Sequence, residues 1–158
     1  MSWNPEALAA DFVTVAKLAG VDLPPEAINV EKLPAPHRPP TRLPQGQMAV
    51  YVFAREGQTL KVGKVGAKSQ ARYTSQHYNP GSAMSTLAAS ILADRSRHAL
   101  SDADAETIGE WIRAKIDRFN FLIDERYGMR VLTLLEAFLQ CRLDPLYEGF
   151  QSQNRRSG

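Results

Sequence analysis

The chain has 158 residues, with 19 lysines and arginines against 17 acidic residues, so its formal charge of +2 permits an anionic partner without requiring one. This length fits one domain that buries about two-thirds of the surface exposed by its unfolded form. The single cysteine, Cys141, excludes an internal disulfide framework and any multi-cysteine metal site, and it fits a reducing compartment. No segment has the pattern of a signal peptide or the length of a membrane span, so the sequence predicts a cytoplasmic protein without a membrane partner.

Residues 1–47 are predicted to form a helix followed by a proline-rich leader. Asn4 is the expected N-cap of the helix and Gly20 its terminator. The prolines that follow remove backbone donors and favour extended polyproline conformation. We interpret the leader as a solvated linker, with the alternative that it carries basic side chains toward a partner, namely His37, Arg38 and Arg42.

Residues 48–150 are predicted to form one α+β domain, and residues 151–158 a flexible tail. The strands "MAVYVFA" and "TLKVGKV" are expected to form a hairpin that turns at Glu56-Gly57-Gln58. Three helices should follow, in residues 67–78, in residues 82–95 and through Trp111 to Ile116. "RFNFLID" alternates like a strand with one wet face, and "MRVLTLLEAFLQCRL" reads as the last helix. This order predicts a small mixed three-stranded sheet flanked by helices.

Glu136 is a carboxylate in an apolar helix, since Leu132 and Leu139 lie one turn away on either side. Burying an unpaired carboxylate costs several kcal/mol. We therefore expect Glu136 either to be held by a cation or hydrogen-bond donors, or to reach water at the edge of the helix.

Two triplets, Ala49-Val50-Tyr51 and Lys61-Val62-Gly63, precede Lys64, Arg72 and Glu136 in the chain. This series resembles the GIY-YIG nuclease superfamily, which has Gly-Ile-Tyr and Tyr-Ile-Gly on a hairpin, an arginine on the next helix and a metal-binding glutamate on a later one. The likeness covers about residues 48–148, and Lys61 stands where the second tyrosine is expected. The residue that follows the arginine by about one turn in many members corresponds to His77 or Tyr78.

The resemblance implies a metal-dependent DNA endonuclease of the same fold. Tyr51 would be the general base, Arg72 a clamp on the scissile phosphate, and Glu136 the protein ligand of Mg²⁺ or Mn²⁺. A phenol titrates near 10, so Tyr51 needs positive neighbours to act near neutrality. Lys64, Arg72 and a protonated His77 are the candidates for that role.

Two other functions remain open from the sequence. The same cleft can hold nucleic acid without cutting it, or the leader can serve as the ligand of another protein. We expect core or surface roles for four further side chains, Tyr73, Tyr78, His98 and Trp111. Glu148 is interpreted as a solvated acid, and the tail arginines Arg155 and Arg156 as weak phosphate contacts.

Overall fold

The computed structural model describes residues 3–83 and 86–147. Within these ranges the α-helices are α1 (Pro5–Leu18), α2 (Gln70–Thr74), α3 (Leu87–Ala93), α4 (Ile108–Lys115) and α5 (Gly128–Leu143). The strands are β1 (Ile28–Leu33), β2 (Gln47–Arg55), β3 (Gln58–Val65) and β4 (Asp117–Asp124). Short 3-10 helices cover Gln76–Tyr78, Arg95–His98 and Glu125–Tyr127. Glu148, Arg155, Arg156 and the predicted tail lie outside the described residues.

The four strands form one sheet in the order β1-β4-β2-β3, and every neighbouring pair is antiparallel. The predicted α+β class is therefore confirmed, but the sheet has four strands instead of three and is antiparallel instead of mixed. The additional strand, β1, lies inside the predicted proline-rich leader. Its six residues fall between Pro25 and Pro34, so none of them lacks the backbone N–H that pairing with β4 requires.

The central hairpin forms as predicted, with Tyr51 of β2 opposite Gly63 of β3. Its turn places Glu56 at φ 51° and Gly57 at φ 82°. Two successive positive φ angles are typical of the tight turns that match the twist of paired strands. The outer edge of β3 is paired at one end, where the backbone N–H of Tyr147 donates to the carbonyl of Leu60 at 2.8 Å.

Both faces of the sheet are covered. The face that we call the α5 face packs against α1 and α5, through Met48, Val50, Val52, Val62, Phe121 and Ile123. The opposite face, which we call the α2 face, packs against α2, α3 and α4, through Ala49, Tyr51, Phe53, Val65 and Leu122. The residues of α1 and β1 belong to the core on the α5 face, so the N-terminal segment packs on the same sheet as the hairpin.

The ends of the helices follow local chemistry. Asn4 caps α1 as predicted, since its side chain accepts from the N–H of Ala7 at 2.9 Å. Asp104 accepts from the N–H of Thr107 at 3.0 Å just ahead of α4. The helix predicted over residues 67–78 is interrupted at Ser75 and continues as a 3-10 turn. In the described part of the chain we find no helix with both the length and the apolar character that crossing a membrane requires.

Candidate active site

Tyr51 lies at the centre of β2 with its side chain on the α2 face, and its exposed fraction is 0%. Its ring extends across the neighbouring strand and covers Gly63. A Cβ atom on Gly63 would lie 2.2 Å from the Tyr51 Oη and 2.5 Å from its Cζ. The glycine of the second triplet is thus required by the tyrosine of the first, because any larger residue would displace the ring.

Arg72 is brought to Tyr51 by the short helix α2. Its Nη2 donates to the Tyr51 Oη at 3.2 Å. The helix is held in place by Gln70, whose side chain accepts from the N–H of Leu43 at 2.8 Å and donates to the carbonyl of Leu43 at 3.0 Å. The leader therefore positions the helix that carries the arginine, and the predicted pair of Tyr51 and Arg72 lies within hydrogen-bonding distance.

His77 packs directly on Tyr51, with 4.4 Å between the ring centroids. Burial, together with the nearby positive charges of Lys61, Arg118 and Arg72, lowers the pKa of His77 to about 2. The imidazole is therefore neutral at pH 7. The expectation that a protonated His77 stabilises a phenolate is wrong, because burial first and the neighbouring cations second disfavour an imidazolium.

The tautomer of His77 follows from its contacts. Its Nδ1 accepts from the backbone N–H of Leu87 at 3.3 Å, so the proton of the neutral ring resides on Nε2. This Nε2 is buried and has no hydrogen-bond partner within the described ranges. His77 thus presents a donor, and not a base, next to Tyr51.

Lys64 and Glu136 form the second half of the predicted site. The Lys64 Nζ lies 3.3 Å from the Glu136 Oε1, and the two side chains are 35% and 20% exposed. This ion pair confirms that a cation holds the carboxylate in the apolar helix. Lys64 is opposite Val50 in the register, so the pair lies on the α5 face.

The structure therefore distributes the predicted residues over both faces of the sheet. Tyr51, Arg72 and His77 are together on the α2 face, whereas Lys64 and Glu136 are together on the α5 face. The sheet lies between the two groups, with Gly63 under the Tyr51 ring and Lys64 as the next residue of β3. Lys64 is therefore not one of the cations that lie on the same face of the sheet as Tyr51.

Sequence reasoning missed a buried polar layer on the α2 face. Arg118 is fully buried, and its guanidinium donates to the Asn120 Oδ1 at 2.9 Å, to the Tyr78 Oη at 3.3 Å and to the carbonyl of Tyr73 at 2.6 Å. The prediction of a wet face on β4 is therefore wrong. The number of predicted helices was a signal that both faces of β4 are buried, since more helices were expected than one face of a small sheet can accept.

His37 belongs to the same layer and fixes the leader to it. Its Nδ1 donates to the carbonyl of Ile116 at 2.8 Å, and its Nε2 accepts from the Tyr78 Oη at 2.7 Å. Tyr78 supplies that proton because its oxygen already accepts from Arg118. The interpretation of this part of the leader as a solvated linker is wrong, although Arg38 and Arg42 are exposed.

The residues expected to be structural have clear partners. Tyr73 donates to the Glu31 Oε1 at 3.2 Å, and burial raises its pKa. The Nε2 of His98 lies 2.7 Å from the Tyr147 Oη, and Trp111 packs under the guanidinium of Arg55. None of these contacts involves Tyr51 or Glu136.

The donor set around Glu136 restricts the metal that it suits. The described ranges contain no group of three or more histidine, cysteine, aspartate or glutamate side chains placed to hold an ion. One half-buried carboxylate fits a hydrated Mg²⁺, which keeps most of its waters and takes further oxygens from a substrate phosphate. It does not fit a metal that needs several protein ligands. Comparison with known proteins gave no match to any family model, curated protein or solved structure.

Proposed function

We propose that this chain is a metal-dependent endonuclease of the GIY-YIG type that hydrolyses DNA phosphodiester bonds at the edge of β3. The observation that carries the proposal is the hydrogen bond from Arg72 to the hydroxyl of Tyr51, 3.2 Å long, directly over Gly63. A phenol beside a guanidinium supplies two of the groups that this reaction needs, a proton acceptor and a phosphate ligand. The protein would act in a reducing compartment such as the cytoplasm.

In this proposal Arg72 has two successive roles. In the free protein its guanidinium favours loss of the Tyr51 proton, because a positive neighbour stabilises the phenolate. In the complex its planar fork binds two oxygens of the scissile phosphate, which the single ammonium of a lysine does not reproduce. The phenolate then takes a proton from the attacking water.

Glu136 would hold Mg²⁺ or Mn²⁺, with Lys64 as the ion-pair partner that keeps the carboxylate in place before the metal binds. A bound divalent cation supplies charge neutralisation at the phosphate and at the leaving oxygen. Since Glu136 is the one carboxylate proposed to bind it, affinity for the metal should be low without DNA.

Because β3 is the edge strand, a single DNA substrate can approach the residues of both faces in this proposal. Tyr51 and Glu136 lie on opposite faces of the sheet, Tyr51 opposite Gly63 and Glu136 paired with Lys64, the next residue of β3. In this proposal the DNA lies along this edge, with Arg72 on one side of the strand and the metal held by Glu136 on the other. The proposal therefore requires the DNA to approach the outer edge of β3, and not the centre of either face.

One observation favours a second function, a nucleic-acid-binding module that does not cut. Tyr51 is fully buried, and a general base needs access to the attacking water. A buried phenol held by Arg72 is also a sound structural element. In a binding module the exposed lysines and arginines would hold phosphate while Tyr51 served only the core.

The test is DNA cleavage by the purified chain. Supercoiled, linear and single-stranded DNA are incubated with Mg²⁺, with Mn²⁺ or with chelator, using the parent and the variants Tyr51→Phe, Arg72→Lys and Glu136→Gln. We expect metal-dependent cutting by the parent and a loss of about a hundred- to ten-thousand-fold in Tyr51→Phe, the usual contribution of a general base. Arg72→Lys and Glu136→Gln should lose cutting with little change in DNA affinity.

Matched controls are available elsewhere in the chain. Tyr127→Phe, Arg142→Lys and Glu110→Gln make the same chemical changes away from both halves of the site, and they should cut like the parent. DNA binding by a parent that never cuts would support the binding module. Parental cutting by Arg72→Lys or Glu136→Gln would remove that residue from the proposed site.

A further inference from the structure

The part of the chain between Lys32 and Ala93 is strongly basic. It contains eight lysines and arginines and a single acidic residue, Glu56. The whole chain has 17 acidic residues against 19 lysines and arginines, so the remaining segments carry an excess of negative charge. Such a separation of charge along one chain is typical of a protein that binds a polyanion through its basic part.

Four of these eight cations have no acidic partner in the described part of the chain, namely Arg38, Arg42, Lys68 and Arg72. Three of the others pair with glutamates, and the fourth, Lys61, is fully buried. Two of the unpaired cations lie in the leader, and the other two lie at the start of α2 and within it. We call these four residues the leader patch. All four are at least partly exposed, so their charges are available to a ligand.

The leader is fixed beside α2 at both ends of its basic part. At one end the His37 Nε2 accepts from the Tyr78 Oη at 2.7 Å. At the other end the side chain of Gln70 binds the N–H and the carbonyl of Leu43 at 2.8 and 3.0 Å. Between these two anchors the leader therefore runs antiparallel to the segment that carries Arg72.

Each arginine of the leader is next to one of these anchors. Arg38 directly follows the first anchor, and Arg42 directly precedes the second, beside the start of α2. The two prolines between the arginines line a cavity together with residues of α2 and α4, among them one acid, Glu106, and one further cation, Arg113. The arginines are thus held along α2 by contacts that do not use their own charges.

We propose that the leader patch binds the phosphodiester backbone of DNA, so that a strand held at Arg72 continues along the leader on Arg38 and Arg42. Exposed guanidinium groups placed along one segment match a repeating row of phosphates, because each planar fork can bind two phosphate oxygens. Contacts of this kind position the DNA without reading its sequence. The inference rests on the proposed function for the site of the cut, but the binding itself is independent of cleavage.

The expected size follows from the release of counterions. Each phosphate that a cation neutralises contributes about 0.9 to the slope of log K against log salt on duplex DNA, and about 0.7 on a single strand. Loss of both leader arginines should therefore make this slope shallower by about 1.8 on duplex DNA, or by about 1.4 on a single strand. The loss of affinity should be the same for unrelated sequences.

The experiment measures binding of the full chain to labelled duplex and single-stranded oligonucleotides by fluorescence anisotropy, at several salt concentrations and with chelator. We expect the shallower slope in the double variant Arg38→Gln, Arg42→Gln, and the parental slope in Arg38→Lys, Arg42→Lys, since lysine keeps the charge. The control is the double variant Lys17→Gln, Arg142→Gln, which removes the same charge from α1 and α5 on the opposite face of the sheet. Its slope should equal that of the parent.

A measurement on the parent alone keeps the test decisive if the leader variant does not fold. DNA should protect Arg38 and Arg42 from an arginine-selective dicarbonyl reagent, as mapped by mass spectrometry of peptides, while Arg142 stays reactive. No protection of the leader arginines, or a parental slope in Arg38→Gln, Arg42→Gln, would overturn the inference. Equal loss of slope in the control variant would also overturn it, because net charge alone would then explain the binding.

Two further comparisons separate this inference from its alternatives. Polyglutamate that binds as tightly as DNA would assign the leader patch to acidic proteins and would overturn the inference. DNA binding that depends on Arg38 and Arg42 without any cutting would uphold it while refuting the nuclease. Metal-dependent cutting with binding that is indifferent to the two arginines would do the reverse.

Discussion

Replacing Gly63 with alanine should destabilise the protein, because the Tyr51 ring lies over this glycine. The new Cβ would lie 2.2 Å from the Tyr51 Oη and 2.5 Å from its Cζ, against an ordinary contact of at least 3.4 Å. The ring must move by about 1 Å, yet it is packed on His77 and Phe53 at centroid distances of 4.4 and 5.6 Å. Overpacking of this kind typically costs about 1 to 3 kcal/mol.

Thermal unfolding followed by circular dichroism measures this cost. For a chain of this size, each 1 kcal/mol corresponds to a shift in Tm of about 2 to 4 °C, so Gly63→Ala should melt roughly 2 to 12 °C below the parent. Gly66→Ala is the matched control, because its nearest neighbour is the Met129 Sδ at 3.9 Å and its Tm should stay within about 2 °C. Equal Tm values for the two variants would refute the placement of the Tyr51 ring over Gly63.

Two further predictions concern charge. The folded state holds His77 neutral because its pKa is about 2, whereas the unfolded chain takes up a proton near 6.5, so the free energy of unfolding should fall by about 1.4 kcal/mol for each pH unit below 6.5. Urea unfolding at pH 6.5 and at about pH 5 should show a loss of about 2 kcal/mol in the parent that is absent in His77→Asn. The variant should keep only the smaller pH dependence that comes from His37 and His98, whose pKa values burial also lowers. An equal pH dependence of the free energy of unfolding in parent and variant would contradict the neutral His77. Glu136→Gln should change the free energy of unfolding by less than about 1 kcal/mol, since both partners of its ion pair are partly exposed, and a larger loss in urea unfolding would give Glu136 a structural role.

The elements that the sequence predicted correctly are those defined by local chemistry. Asn4 and Pro5 mark the start of α1, Glu56-Gly57 marks the turn of the hairpin, and the leucine stripe around Glu136 marks α5. Each of these signals depends on residues that are only a few positions apart in the chain. Local patterns of that kind are retained whichever way the rest of the chain packs.

The errors arise where distant segments decide the environment. Six residues without proline are enough for β1, but only its pairing with β4 shows that they form a strand. Arg118 and Asn120 alternate with phenylalanines just as solvated residues do, and they are buried because α2 to α4 cover that face. A pattern of alternation states that two faces differ, and it does not state that the polar one meets water.

Lys61 and Lys64 illustrate how one strand serves two environments. They are three residues apart, so strand alternation directs them to opposite faces, Lys61 toward Tyr51 and Lys64 toward Glu136. Gly63, between them, leaves room for the Tyr51 ring to reach the edge. A shift of one residue in the register of β3 would exchange the two lysines, remove Lys64 from Glu136 and place a side chain against the ring. The observed register therefore keeps Gly63 under the Tyr51 ring and Lys64 beside Glu136.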